Sequence, residues 1–278
     1  MSSGAVNSGA VAPGAELTAL QVQWAAAGAW PPIEVERLGE WVLRAGLGFT
    51  NRANSVIPLG DPDLPLSAAL EAVEQWYAAR SLPAVFVVAG RVGFDPSADA
   101  VAAEAIRRGY AASDPTLFLT ASTGLVASSG GAAAEPVGGA VMLELSAELS
   151  EEWLTAYGSY RENDRAAARA ILTGSPAQVF VTARAAGQIV GIGRLGVSAG
   201  WGGIAAMWVD PAYRRRGLAG EMLASLARFA AEAGVPRLHL QVWAHNAPAL
   251  ALYRRAGFIP HHAYVMFTQD VSETAKRR

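Results

Sequence analysis

The sequence predicts an α/β protein built from two related units. Strand-like and helix-like segments alternate along the chain, which is typical of sheets covered by helices. One order of elements occurs twice: a helix, a strand, a second helix ending in a glycine–aromatic step, and a final strand. A segment of low charge, rich in Gly, Ser and Ala, separates the two copies.

The composition excludes several classes of protein. The chain has 278 residues, which suits one large domain or two modest ones. A formal net charge of −2 argues against a nucleic-acid partner held by bulk positive charge. No apolar stretch is long enough to span a bilayer, so we expect no membrane partner. The first residues lack the features of a signal peptide, and a cytoplasmic location is expected.

Four segments define the expected domain organisation. Residues 1–15 are rich in small and polar residues and are expected to be disordered. Residues 16–120 form the first unit, residues 121–138 a linker, and residues 139–278 the second unit.

The repeat rests on matching segments in the two units. In the first, a helical pattern ends at Pro83 and leads into an apolar strand at 84–88; in the second, a helical pattern ends at Pro236 and leads into a strand at 238–242. An arginine-containing segment that ends in Gly and an aromatic residue then follows in each unit. Chance similarity in a chain rich in Ala and Arg is the alternative explanation.

The second unit can be assigned in more detail. Hydrophobic periodicity and turn residues give its strands and helices in order. Strands are expected at 141–145, 178–183, 188–197, 203–209, 238–242 and 263–268, and helices at 148–157, 164–172, 220–233 and 247–256.

The segment 209–220 carries the clearest chemistry. It reads Val-Asp-Pro-Ala-Tyr-Arg-Arg-Arg-Gly-Leu-Ala-Gly and joins a predicted strand to a predicted amphipathic helix. The first N–H groups of a helix have no intrahelical partner, and the helix dipole adds positive charge, so a phosphate can bind there. Gly217, Ala219 and Gly220 allow a close approach to the backbone, and three arginines add charge. A basic helix cap on the surface is the alternative.

At this loop the chain resembles the GNAT superfamily of N-acetyltransferases. Its signature, Arg or Gln, two residues, Gly, one residue, and Gly or Ala, is matched by Arg214, Gly217 and Ala219. A second family pattern, Asn-x-x-Ala-x-x-Leu-Tyr-x-x-x-Gly-Phe, is matched at 246–258. The resemblance covers roughly residues 141–268. It implies two tandem GNAT-like acyl-CoA N-acyltransferase units, each a mixed sheet flanked by helices, with catalysis in the second.

The resemblance also implies the cofactor, acetyl-CoA, which leaves as CoA. Backbone amides across 215–220 would hold its pyrophosphate, and the strand end at Trp208 and Val209 its pantetheine arm. The implied cofactor-binding residues are Trp208, Val209, Arg214, Arg215, Arg216, Gly217, Leu218, Ala219, Gly220, Asn246, Ala249 and Tyr253.

The first unit lacks this chemistry. Aligning Pro83 with Pro236 places residues 60–66 where the arginine–glycine loop should be. This segment has two prolines, which lack N–H donors, and two aspartates, which repel phosphate. We therefore expect a degenerate GNAT-like unit without a cofactor loop.

The implied reaction is direct attack of a neutral primary amine on the thioester. By resemblance, the backbone N–H of Val209 is the oxyanion donor and Tyr253 the acid for the departing sulfur; a core tyrosine is the alternative. The strand at 203–209 lacks the carboxylate that many relatives carry there. A water chain or His245 could act as base instead, although an ordinary loop histidine remains open. A non-catalytic acetyl-CoA sensor is the alternative function.

The acceptor, an amine on a small molecule or a protein, cannot be identified from the sequence. Tyr160, Glu162 and Asn163 lie in the loop that lines the acceptor site in the family, with His245 as a further candidate; an ordinary charged loop is the alternative. A far wall of the cleft could come from Trp41, Arg44, Phe49, Asn51, Arg52 and Asn54, or these could be two core aromatics and four surface residues.

A homodimer is possible. The histidines have no metal-binding spacing, and no metal is expected.

Overall fold

A computed structural model describes residues 18–130, 141–161 and 164–269. The helices are α1 Ala19–Ala27, α2 Leu66–Ala78, α3 Ala100–Arg107, α4 Thr123–Ser128, α5 Glu151–Tyr160, α6 Arg165–Leu172, α7 Leu218–Glu232 and α8 Ala247–Arg255. The strands are β1 Glu34–Leu38, β2 Trp41–Ala45, β3 Val85–Gly90, β4 Ala111–Ala112, β5 Thr116–Ser122, β6 Met142–Ser146, β7 Ala177–Ala185, β8 Gln188–Ser198, β9 Trp201–Val209, β10 Arg237–Trp243 and β11 Ile259–Thr268. The predicted disordered segment 1–15 lies outside the described residues.

Nine strands form one mixed sheet, in the order β3-β11-β5-β10-β9-β8-β7-β6, with β4 paired to the end of β11. Strands β9 and β10 run parallel, and their other neighbours run antiparallel. The hairpin β1–β2 forms a separate sheet. The predicted mixed α/β architecture is confirmed.

The two predicted units share this sheet by exchanging strands. Strand β5, from the first unit, lies between β10 and β11 of the second. Strand β11, from the second unit, lies between β3 and β5 of the first. The boundary expected near residue 120 in the sequence is therefore not a boundary in the sheet.

The predicted linker 121–138 begins in regular structure, which corrects that expectation. Residues 121–122 end β5, and the next six residues form α4. Val126 is fully buried in the cluster that includes Met222 and Leu223 of α7. The part of this segment in α4 is therefore packed on α7 and is not a free connection. Residues 131–138 lie outside the described residues.

In the second unit, every predicted strand and helix is found, with ends shifted by a few residues. Met222, Leu223 and Leu226 of α7 pack against β7 to β9, as their helical spacing predicts. His262 lies in β11 and is buried.

The polar residues 44–54 of the first unit are more buried than expected. Trp41 and Phe49 are core residues, but Arg44 and Asn54 are buried too. Arg44 donates to the carbonyl and hydroxyl oxygens of Ser55. The Asn54 side chain closes the loop through four hydrogen bonds to the backbone. These satisfied polar groups explain why the loop is well packed against the sheet.

Candidate active site

Strands β9 and β10 separate at the centre of the sheet. Their pairing runs from Trp201↔Arg237 to Ile204↔Leu240 and ends there. Beyond it, Ala206 has a left-handed backbone (φ 54°), and the register between β8 and β9 shifts. This β-bulge bends β9, because one extra residue is inserted on one side of the ladder. The bend leaves a gap between the ends of the two strands.

The backbone of Val209 faces this gap. The N–H of Asp210 donates to the carbonyl oxygen of Val190 on β8, at 2.9 Å. Because hydrogen-bonded pairs alternate along an antiparallel ladder, the N–H and C=O of Val209 point to the opposite edge. There, Nε of Arg214 donates to the Val209 carbonyl oxygen at 2.9 Å. Sequence reasoning missed this bond, which ties the loop to the strand end.

The loop that follows is shaped for an anion. Arg215 (φ 61°) and Gly217 (φ 81°) adopt left-handed conformations, and α7 begins at the next residue. The N–H groups of Arg215, Gly217, Leu218 and Ala219 have no acceptor among the described residues. Such a row of amides at a helix N-terminus attracts negative charge. The Gly220 amide, which was predicted to belong to this row, instead donates to the Gly217 carbonyl oxygen.

A cavity of about 720 Å³ brings most of the predicted cofactor residues together. These are Trp208, Val209, Arg214, Arg215, Gly217, Leu218, Ala219, Gly220, Asn246, Ala249 and Tyr253. Arg216 does not line the cavity; its guanidinium lies over the ring of Tyr213, 5.4 Å from the centroid.

Eight further lining residues were not among the predicted cofactor residues: Ser129, Met207, Tyr213, Glu221, Pro248, Leu252, Arg255 and Ala256. Ser129 follows α4, in the segment predicted as a linker. Arg255 is in the last turn of α8, where an arginine is equally explained by the helix dipole. No local pattern predicts Ser129 at this site, since its position depends on how α4 packs on α7.

Two side chains of α8 have distinct roles. The Asn246 side-chain oxygen accepts from the N–H of Ala249 at 3.2 Å and so caps the helix. Tyr253 is 9% exposed, and burial raises the pKa of its hydroxyl to about 12. Its hydroxyl therefore holds its proton throughout the neutral range, and it has no hydrogen-bond partner among the described residues.

A second cavity, of about 520 Å³, adjoins the same strand. Ala205 and Ala206 line it, whereas the next three residues of β9 line the first cavity. Its walls come from both units and include Phe49, Asn51, Arg52, Tyr157, Arg161, Asp164, Trp243 and Tyr264. Three of the residues proposed as a far wall, Phe49, Asn51 and Arg52, are therefore on this cavity.

Neither of the predicted acceptor residues that the structure describes, Tyr160 and His245, lines this cavity, although Tyr160 contacts its wall. The Tyr160 hydroxyl donates to the Ala206 carbonyl oxygen at 3.3 Å, and its ring stacks on Trp208. His245 is exposed, packs against Trp243 and lies 3.7 Å from Asp114, but lines neither cavity. Glu162 and Asn163 lie outside the described residues.

The carboxylates that line the two cavities, among the residues described, are both engaged. Asp164 accepts from the N–H groups of Ala166 and Ala167 and caps α6. Glu221 pairs with Arg228 at 2.6 Å. Neither is a free base.

Within the described ranges, no three His, Cys, Asp or Glu residues are grouped for a metal ion. The helices there are too short or too polar to cross a membrane.

Comparison with known proteins agrees with this geometry. Residues 18–267 match the family model described as probable histone acetyltransferase Rv0428c C-terminal. YobR of Bacillus subtilis, named as an uncharacterized N-acetyltransferase, is 26% identical over 87% of this chain and 96% of its own length. A GCN5-related N-acetyltransferase from Kribbella flavida has the same fold, with a TM-score of 0.66 and 18% identity over 93% of this chain and 98% of its own. A tandem GNAT protein from the clavulanic acid pathway matches with a TM-score of 0.60 and 14% identity, over 89% of this chain and 87% of its own.

Proposed function

Because the chain belongs to the Rv0428c C-terminal acetyltransferase family and is a GNAT N-acetyltransferase, we propose that it transfers the acetyl group of acetyl-CoA to a primary amine. The amine belongs to a small molecule or a protein. The proposal rests on one observation above all: the unpaired amides at the start of α7 open into the same cavity as the end of β9 and Tyr253.

The first cavity fits acetyl-CoA in charge and in space. Arg214, Arg215 and Arg255 supply positive charge beside the amides, which suits a pyrophosphate. A methyl group added to Gly220 would meet only the Leu252 side chain, at 3.8 Å. The protein therefore leaves the helix start open on this side, as a close phosphate contact requires.

Acetyl-CoA supplies an acyl group activated as a thioester. In the transfer, the amine nitrogen forms a bond to the acetyl carbon, the carbon–sulfur bond breaks, and the amine loses one proton while sulfur gains one. The Val209 N–H, which faces the gap, is suited to stabilise the developing oxyanion. The Tyr253 hydroxyl is suited to donate the proton to sulfur, because its raised pKa keeps it protonated. With no free carboxylate among the described lining residues, we assign removal of the amine proton to water.

We also propose that residues 139–278 are the catalytic unit and that residues 16–120 bind no cofactor. Pro65 takes the N-cap position of α2 without any side-chain cap, and Asp61 and Asp63 precede it. This helix start therefore has fewer donors and the wrong charge for phosphate. The first unit instead supplies strand β5 and one wall of the second cavity.

Calorimetry with acetyl-CoA tests the proposal. The wild type should bind in the micromolar range, and Gly217→Glu should not, because it forces a left-handed conformation on a non-glycine residue and adds negative charge to the amide row. Release of CoA thiol in the presence of an amine panel then measures transfer. A folded wild-type protein that fails to bind acetyl-CoA would refute the proposal.

A further inference from the structure

Arg52 has an unusual position in the second cavity. It is half-buried, and its guanidinium lies over the ring of Trp30, 5.2 Å from the centroid. Among the described residues, no carboxylate lies within ion-pair distance of it, whereas several other arginines pair with a glutamate. Burial lowers the pKa of the Arg52 guanidinium. The cavity thus contains a partly desolvated cation without a counter-ion from the described chain.

Two buried arginines behind the wall add to this positive charge. Arg194 donates to the carbonyl oxygens of Leu172 and Ala29 and to the Ser175 hydroxyl. The Arg44 guanidinium donates to the carbonyl and hydroxyl oxygens of Ser55. Burial lowers their pKa values to about 9 for Arg194 and about 10 for Arg44, so both remain charged near neutral pH. Their partners are neutral, so their charge is not cancelled locally.

The remaining charged groups on the cavity wall do not reverse this balance. Asp164 is a single carboxylate whose oxygen caps α6. Arg161 adds a further positive charge and bonds to the Tyr157 hydroxyl at 3.5 Å. The described lining is therefore net positive, in a protein whose overall charge is −2.

Leaving a partly buried guanidinium without a counter-ion costs stability, and a bound anion would recover that cost. A guanidinium is planar and binds a carboxylate or phosphate through two parallel hydrogen bonds. The ring of Trp30 holds the Arg52 guanidinium against its face. This contact reduces the conformational entropy that the Arg52 side chain loses when it binds an anion.

We propose that the acceptor amine carries an anionic group, a carboxylate or a phosphate, and that Arg52 binds that group. This rests on the proposed function, since it assigns the second cavity to the acceptor. Arg52 shares the cavity with Ala205 and Ala206, so an anion held there leaves the amine end of the molecule beside the bulge of β9. A lysine-rich protein tail, the substrate suggested by the family description, is disfavoured by this charge.

Matched acceptors test the proposal by transfer. We would measure kcat/KM for O-phosphoethanolamine against ethanolamine, β-alanine against β-alaninamide, and glucosamine 6-phosphate against glucosamine. The anionic member of at least one pair should be preferred by about 10- to 100-fold, as expected for charge-assisted hydrogen bonds. Arg52→Gln should abolish the preference, and Arg52→Lys should retain part of it. Arg91→Gln, which removes an exposed arginine that lines neither cavity, should retain all of it.

A binding experiment separates this proposal from the proposed function. Inorganic phosphate is titrated at constant ionic strength, with and without saturating CoA, and the melting temperature is followed. Phosphate should stabilise the CoA-loaded wild type and Arg91→Gln, but not Arg52→Gln. If no amine is acetylated and this pattern still holds, the transferase proposal fails and the anion site stands. Equal phosphate stabilisation of wild type and Arg52→Gln, or equal use of neutral and anionic acceptors by both, would overturn the anion site.

Discussion

Arg214 holds the end of β9 in place through the hydrogen bond from its Nε to the carbonyl oxygen of Val209. Arg214 is the first residue of the anion-binding loop, and its side chain also fixes the backbone of Val209, whose N–H faces the gap between β9 and β10. One residue thus connects phosphate binding to the position of the proposed oxyanion donor.

Replacement of Arg214 should weaken acetyl-CoA binding. Arg214→Met keeps the unbranched stem of the side chain but removes the charge and the bond to Val209, and we expect Kd to rise about tenfold, the value of one charge-assisted hydrogen bond. Calorimetry measures this directly. Arg216→Met is the matched control, since Arg216 lies outside the cavity lining; similar losses in both variants would argue for bulk charge instead.

Gly220→Ala should make the protein more stable and a weaker binder. A helical glycine costs about 0.5–1 kcal/mol relative to alanine, and the added methyl would meet only Leu252 at 3.8 Å. The melting temperature should rise, while the Kd for acetyl-CoA rises several-fold because the methyl occupies the open side of the helix start.

Gly124→Ala on α4 is the control for that effect, since nothing lies within 4 Å of its added methyl. It should stabilise the protein without changing acetyl-CoA affinity. If Gly220→Ala binds acetyl-CoA as well as wild type, the cofactor does not approach the helix start at this residue.

Tyr253→Phe should slow transfer and spare binding. General acid catalysis contributes about 10²- to 10⁴-fold, so the single-turnover rate should fall by at least the lower figure, with Kd for acetyl-CoA nearly unchanged. Because the pKa of Tyr253 is raised to about 12, its ionisation should not reduce the wild-type rate below about pH 10. A Phe variant with the wild-type rate would show that water protonates the sulfur.

A buried histidine pair should make the fold sensitive to acid. Phe118 of β5 is stacked between His239 of β10 and His262 of β11, with centroid separations of 5.1 and 4.7 Å. Burial lowers the pKa of both histidines to about 3. In the unfolded chain they take up protons below about pH 6.5, whereas in the folded protein they do so only near pH 3.

Each histidine should therefore lower the free energy of unfolding by about 1.4 kcal/mol per pH unit as the pH falls from 6.5 towards 3. Denaturant unfolding between pH 4.5 and 7 measures the slope. In His239→Gln or His262→Gln, the slope of the unfolding free energy with pH should be smaller than in wild type by the contribution of one proton. This holds whatever the stability of the variant at neutral pH. An unchanged slope would show that the imidazole is protonated in the folded state.

Local signals in the sequence were sufficient for much of the fold and of the first cavity. The loop from Arg214 to Gly220 and the helix after Asn246 were predictable because turn residues, capping residues and hydrophobic spacing act over short distances. The role of Arg44 was not predictable in this way, because its partner Ser55 meets it only after the loop between them has folded.

The exchange of strands was beyond sequence reasoning for a physical reason. The residues of β5, Thr116–Ser122, predict that a strand forms, but they do not identify the strand with which it pairs. In this protein the pairing with β10 runs through seven residue pairs and joins distant parts of the chain. Ser129 and the wall of the second cavity depend on that pairing, so they could not be predicted before it was known.

The position of β11 has a consequence for biosynthesis. Strand β3 is made early, yet its main partner is made last among the described strands. On the ribosome, the amino-terminal half must wait with an unpaired, apolar sheet edge until residues 259–268 emerge. Chaperone binding to nascent chains should therefore persist until β11 has left the ribosome, and the two halves expressed separately should aggregate unless they are produced together.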